Sequence, residues 1–199
     1  MAMPGVYRIR LSVDGQQYTQ TVTLRADPRS HVSWTALAAQ HALLMRLYAG
    51  LAATWTDFRT VTALRSAIAK IAPSPNDTVS ETGRAARTLV TTLDSMAGDS
   101  LADARQVWDD RPRTWSLAAL NQQFGLELTT QDNADHAPTQ PMLAVARLDC
   151  EELRKLVVRW GEFVQRDLAT FNRLLARQGM TPLRAPPERG RLCVRTAQR

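Results

Sequence analysis

The sequence has little lysine and little cysteine, and each shortage excludes a class of site. Lys70 and Lys155 are the two lysines, against 23 arginines. Phosphate-binding surfaces commonly use both cations, so we attribute this ratio to a coding bias rather than to phosphate recognition. Cys150 and Cys193 have neither CxxC nor histidine spacing. The sequence therefore predicts no zinc site, no disulfide framework and no cofactor.

Long apolar runs are also absent. No run reaches the roughly 18 apolar residues that a transmembrane helix needs, so we expect no membrane span. The opening "MAMPGVYRIR" lacks the apolar region of a signal peptide, and the sequence leaves the localisation open. Of the net charge of +6, the tail from Arg184 onward carries +4. This tail is short and has no interleaved aromatic residues, so we do not expect a nucleic-acid partner.

The first 25 residues predict a β-hairpin. In "VYRIRLSVDGQQYTQTVTL", apolar and polar residues alternate on both sides of Asp14 and Gly15, a pair typical of a two-residue type I′ turn. That turn would pair Val13 with Gln16 and put the apolar side chains on one face. The residues of this apolar face are Tyr7, Ile9, Leu11, Val13, Tyr18, Val22 and Leu24. Two strands alone are rarely stable in water, so we expect this apolar face to pack against another element.

Helical patterns fill the rest of the chain. Ser33 is a good N-cap, and the apolar residues after it recur at three- and four-residue steps until Pro73, with Gly50 as a point where the helix could bend. This predicted inward stripe comprises Leu37, Leu44, Leu47, Leu51, Trp55, Phe58, Val61, Leu64, Ile68 and Ile71. Shorter helices are predicted around 85–96 and after Thr114, the second with Ser116 as its cap. A last helix runs from a Thr139 cap to Gly179, with inward residues Leu148, Leu153, Leu156, Val157, Trp160, Val164, Leu168, Phe171 and Leu175.

These patterns predict a mainly α protein, an antiparallel up-and-down helical bundle with a short N-terminal β-hairpin. We divide it into the hairpin (1–30), the bundle (31–183) and a basic flexible tail (184–199).

Few residues suggest chemistry. Trp108, Asp109, Asp110 and Trp115 form a weak candidate site in "VWDDRPRTW", where two indoles could stack on a sugar ring and two carboxylates could act as acids. The alternative is a structural role, in which the tryptophans hold the loop on the bundle while Arg111 and Arg113 neutralise the acids. The histidines at 31, 41 and 136 lack metal-ligand spacing. We predict no catalytic, metal or cofactor residue.

One stretch carries a resemblance. "PGVYRIRLSVDGQQYTQTVTLRADPR" resembles the end of the immunoglobulin-like domain in secreted bacterial sortilin-like, BNR-repeat β-propeller proteins, often labelled glycosyl hydrolases. The helical stretches that follow are similar to the close of that family. The resemblance implies that the hairpin is the last strand pair of a sandwich. It also implies that the chain is a C-terminal remnant of a longer, secreted or periplasmic protein.

Two functions from different classes follow. The favoured hypothesis is a non-catalytic structural or protein-interaction module, not an enzyme, whose partner is another protein or a second copy bound through the hairpin edge. The alternative is a carbohydrate-binding or hydrolase accessory domain that uses Trp108, Asp109, Asp110 and Trp115.

Overall fold

A computed structural model describes residues 2–71, 80–98 and 115–186. The chain is mainly helical and begins with a two-stranded antiparallel hairpin, as the sequence predicts. The strands are β1 (Gly5–Val13) and β2 (Gln16–Leu24). The helices are α1 (Trp34–Ala69), α2 (Glu81–Ala97), α3 (Leu117–Gln131), α4 (Gln140–Glu162) and α5 (Ala169–Arg177), with a π-helical segment (Phe163–Leu168) joining α4 to α5.

The hairpin has the predicted register. Val13 pairs with Gln16 and Tyr7 with Val22, so the apolar residues share one face. Asp14 and Gly15 have φ values of 48° and 78°, the left-handed backbone that a type I′ turn requires at both central residues.

Side-chain caps start the helices where the sequence places them. The hydroxyls of Ser33, Ser116 and Thr139 accept hydrogen bonds from backbone amides in the first turns of α1, α3 and α4. Helix α2 begins one turn earlier than predicted because Ser80 caps it by accepting from the Gly83 amide. At the other end of the chain, Gly179 has a φ of 69° and closes α5.

Within the described residues, the helices form three columns. Helix α1 is the first, and α4 with α5 is the third, because the π-helical segment continues the chain from one to the other. Helices α2 and α3 divide the middle column, each packing on a different part of α1. Near its N-terminus α1 contacts the end of α3 through Gln40 and Gln131, and nearer its C-terminus Arg65 pairs with Asp94 of α2. The Thr82 hydroxyl at the start of α2 donates to the side chain of Gln178, directly after α5. Neighbouring columns therefore run antiparallel.

A continuous apolar core lies between the columns. Its fully buried members include Leu47, Ile68, Leu93, Leu120, Phe124, Leu153 and Leu175. Helix α1 runs through Gly50 without a break, and the glycine has a packing role. A Cβ at Gly50 would lie 2.7 Å from two ring atoms of Phe124, so the missing side chain lets α3 approach α1 closely.

Three sequence-based expectations are wrong. Trp55 is 55% exposed and Leu148 is 58% exposed, although both were placed on inward stripes. On each helix an adjacent residue, Thr54 or Asp149, is buried instead. In addition, Cys150 is buried and disulfide-bonded, which its spacing did not predict. Cys193 lies outside the described residues.

Candidate functional site

The hairpin is the most exposed regular element among the described residues. Every residue of both strands is exposed to solvent, and the hairpin makes few contacts with the helices. On the apolar face, Leu11 is 59% exposed and Tyr18 is 56% exposed. The described part of the bundle therefore leaves this face uncovered.

The two edges of the hairpin differ in charge. Val13 and Gln16 flank the turn and form a hydrogen-bonded pair, so alternate residues direct their backbone groups away from the partner strand. On β1 these outward groups belong to Arg8, Arg10 and Ser12, and the arginines protect that edge with charge. On β2 they belong to Gln17, Thr19, Thr21 and Thr23. Strand β2 contains no charged residue and no proline, and so lacks the usual protection of an edge strand.

The exit from the hairpin is fixed by a local ion pair. The Asp27 carboxylate accepts hydrogen bonds from the backbone amide and the guanidinium of Arg29, the latter at 2.8 Å. These bonds lower the pKa of Asp27, and the pKa of Arg29 is raised by the same contact. The Ser30 amide also donates to the Asp27 carbonyl at 2.9 Å. The resulting turn sets the direction in which the chain leaves β2 and enters α1.

The predicted loop site is described at one residue. Trp115 is partly buried and packs against the core at the start of α3. Trp108, Asp109 and Asp110 lie outside the described residues. The proposal that these four residues act together stays a prediction.

Residues 2–71, 80–98 and 115–186 do not form a metal site of histidines and carboxylates. Those ranges contain no group of three histidine, cysteine, aspartate or glutamate residues placed to hold a metal ion. His41 is half-buried on α1, His31 is exposed before it, and His136 lies in the α3–α4 connection. The same ranges contain no helix with the length and apolar content needed to cross a bilayer.

Comparison of the chain with protein-family models, curated proteins and solved structures finds no match. The resemblance to sortilin-like propeller proteins therefore stays a hypothesis.

Sequence reasoning missed a buried polar clamp at the N-terminal end of α1. Gln40 is 1% exposed, and its side-chain amide donates to the carbonyls of Gln131 at 2.9 Å and Ala134 at 2.7 Å. Its carbonyl oxygen accepts from the His136 amide at 3.3 Å. The clamp holds the α3–α4 connection against α1. A glutamine inside an apolar helical stripe was the available signal, since a buried amide needs hydrogen-bond partners.

Proposed function

We propose that this chain is a non-catalytic structural or protein-interaction module, and that the hairpin is the element that binds. The observation that supports this proposal is that every residue of both strands is exposed. A two-stranded hairpin is marginally stable in water unless its apolar face packs on something else. Because the helices of the described residues do not cover the face, we expect another polypeptide segment to complete the sheet or bury the face.

The partner we propose is a β-rich protein segment. Exposed backbone groups on β2 offer hydrogen bonds to an added strand, and alternate apolar side chains offer packing to a second sheet. If the resemblance to the end of an immunoglobulin-like domain holds, that segment is the remainder of a β-sandwich, and the chain is the C-terminal remnant of a propeller protein.

Site-specific photo-crosslinking in the cells that produce the protein tests this proposal. A photoreactive residue replacing Leu11 on the apolar face should crosslink to one protein, whereas the same residue replacing Arg10, on the opposite face and at the charged β1 edge, should not give that product. The purified partner should then bind the chain. If Leu11 gives no protein adduct and the isolated chain binds no hydrophobic dye, the proposal is wrong.

Matched double variants assign the binding to the apolar face. Replacing Ile9 and Leu11 with threonine keeps β-propensity but removes apolar area. Each side chain is more than half exposed, so burying its exposed part against a partner is worth about 1 kcal/mol per residue. We therefore expect the affinity for the partner to fall at least tenfold. The control variant replaces Arg10 and Ser12 with threonine on the polar face. Equal losses in both variants would contradict binding through the apolar face.

The alternative function, a carbohydrate-binding or hydrolase accessory domain, rests on the partial exposure of Trp115 beside the core. It predicts that oligosaccharides change the tryptophan fluorescence and that Trp115→Ala or Trp108→Ala abolishes the change while the far-UV circular dichroism is retained. An unchanged fluorescence spectrum across a panel of oligosaccharides would count against it.

A further inference from the structure

Helix α1 has a second apolar surface on the side away from the core. Seven residues follow one another at alternating steps of four and three, which places them along one side of the helix. We name this set the outer stripe: Trp34, Ala38, His41, Met45, Tyr48, Ala52 and Trp55. The stripe is separate from the hairpin and does not depend on the function proposed above.

The outer stripe is exposed. Trp34 is 60% exposed, Met45 51%, Tyr48 57% and Trp55 55%. The alanines at 38 and 52 are also exposed, and His41 is half-buried. Scattered exposed apolar residues are normal in proteins, whereas a continuous line of large ones marks an interaction surface.

The charge content of this part of α1 supports the same conclusion. Between Trp34 and Trp55 the single residue of type Asp, Glu, Lys or Arg is Arg46, which lies beside the stripe. Helix α4 shows what a solvated face looks like in this protein, with exposed Glu151, Arg154 and Lys155. A helix face that meets water is normally rich in charge. The outer face of α1 lacks that composition.

The order of residues in the stripe is nearly the same in both directions. It reads tryptophan, alanine, polar aromatic ring, Met45, polar aromatic ring, alanine, tryptophan. Two antiparallel copies centred on Met45 would therefore place Ala38 opposite Ala52, and would bring Trp34 within one position of Trp55 and His41 within one position of Tyr48. A surface that matches itself after a twofold rotation is what a symmetric dimer requires.

We propose that the outer stripe is the interface of a homodimer in which two α1 helices pack antiparallel. The occupant of the stripe is a second copy of this chain. The alanines permit close approach of the two helices, and the four-three spacing is that of left-handed helix pairs with a crossing angle of about 20°.

The available area suits a weak dimer. An aromatic side chain presents roughly 150–250 Å², and more than half of each of the three aromatic residues other than His41 is exposed. With Met45 and the alanines, two copies would bury on the order of 1,000 Å², the lower limit for a specific interface. We therefore expect dissociation in the micromolar range rather than an obligate dimer.

Disulfide crosslinking tests the geometry. In the antiparallel dimer the two copies of residue 45 meet at the twofold axis, so Met45→Cys should form a covalent dimer under mild oxidation. The two copies of residue 34 would be roughly 33 Å apart at 1.5 Å per residue, so Trp34→Cys should not. The unsubstituted chain, carried through the same oxidation, is the control for the native cysteines. Crosslinking of both variants would indicate parallel helices, and crosslinking of neither would indicate no interface; either result overturns the proposal.

Analytical ultracentrifugation tests the stripe as the cause of association. The unsubstituted chain should sediment as a monomer–dimer mixture, and Tyr48→Glu should weaken the dimer at least thirtyfold with an unchanged far-UV circular dichroism spectrum. Val158→Glu is the matched control, because Val158 is 56% exposed on α4, and it should leave the dimer intact. A monomer at every concentration up to about 100 μM would refute the proposal. So would a dimer that survives Tyr48→Glu but dissociates when Ile9 and Leu11 are replaced with threonine, and that result would support association through the hairpin.

Discussion

Replacing Gly50 with alanine sets two opposing free-energy terms against each other. An alanine in the interior of a helix stabilises it by about 1 kcal/mol relative to glycine. At Gly50, however, the new Cβ would lie 2.7 Å from Cε1 and Cζ of Phe124 and 2.9 Å from Cδ1. Phe124 is fully buried, so the ring can move away only by displacing neighbours in the core. Overpacking of this kind costs about 1–3 kcal/mol.

We expect the overpacking term to exceed the helix-propensity term, because three atoms of a rigid, buried ring are involved. The predicted net effect of Gly50→Ala is a loss of about 1–2 kcal/mol in the free energy of unfolding. For a chain of this size, that loss lowers the midpoint of thermal unfolding by about 3–6 °C. Thermal and urea denaturation, followed by far-UV circular dichroism, measure both quantities.

Gly161 provides a matched control on another helix. It lies in α4, and an added Cβ would meet no atom within 4 Å. Gly161→Ala should therefore raise the free energy of unfolding by up to about 1 kcal/mol. If Gly50→Ala stabilises the protein as much as Gly161→Ala does, the close contact between α1 and α3 is not real. Combining Gly50→Ala with Phe124→Leu should recover part of the loss, because the two positions are in contact and their effects are not additive.

Two further predictions concern buried or partly buried hydrogen bonds. Gln40→Met keeps the volume of the side chain but leaves the carbonyls of Gln131, at the end of α3, and of Ala134 without their donor. We therefore expect a loss of about 2 kcal/mol in the free energy of unfolding by urea denaturation. An equally small effect for Gln40→Met and for the exposed control Gln165→Met would contradict the clamp. The side chain of Asn172 forms two hydrogen bonds of 2.8 Å with the backbone of Leu183, one as donor and one as acceptor. Asn172→Ala should therefore speed the hydrogen exchange of the Leu183 amide, measured by mass spectrometry. Unchanged exchange would show that other contacts hold this segment.

Periodic patterns explain why much of the fold could be predicted. The Asp14–Gly15 turn fixed the pairing of the hairpin, and period-two alternation then assigned every residue of β1 and β2 to a face. Ser33, Ser116 and Thr139 marked helix starts because their hydroxyls satisfy amides that a helix cannot pair internally. These are local interactions between residues close in the chain. They need no knowledge of the tertiary structure.

The candidate interaction surfaces were only partly predictable. The apolar face of the hairpin was visible from alternation, but its exposure was not, since alternation does not reveal what packs on a face. Trp55 shows the same difficulty on α1. It continues the inward spacing after Leu51, and it also continues the outward spacing from Tyr48. Only the packed helices show that the outward assignment holds.

The sequence by itself determined the type, order and approximate ends of the strands and α-helices, because capping, turn geometry and hydrophobic period are properties of short segments. It did not predict the π-helical segment (Phe163–Leu168) inside the last helix. The tertiary structure alone decided which apolar surfaces are buried. It placed α2 and α3 along one column, brought Phe124 against Gly50, and closed the α3–α4 connection with Gln40. It also left the hairpin and the outer stripe exposed. These contacts join residues far apart in the chain, and a helix with apolar residues on two sides does not specify which side faces the core.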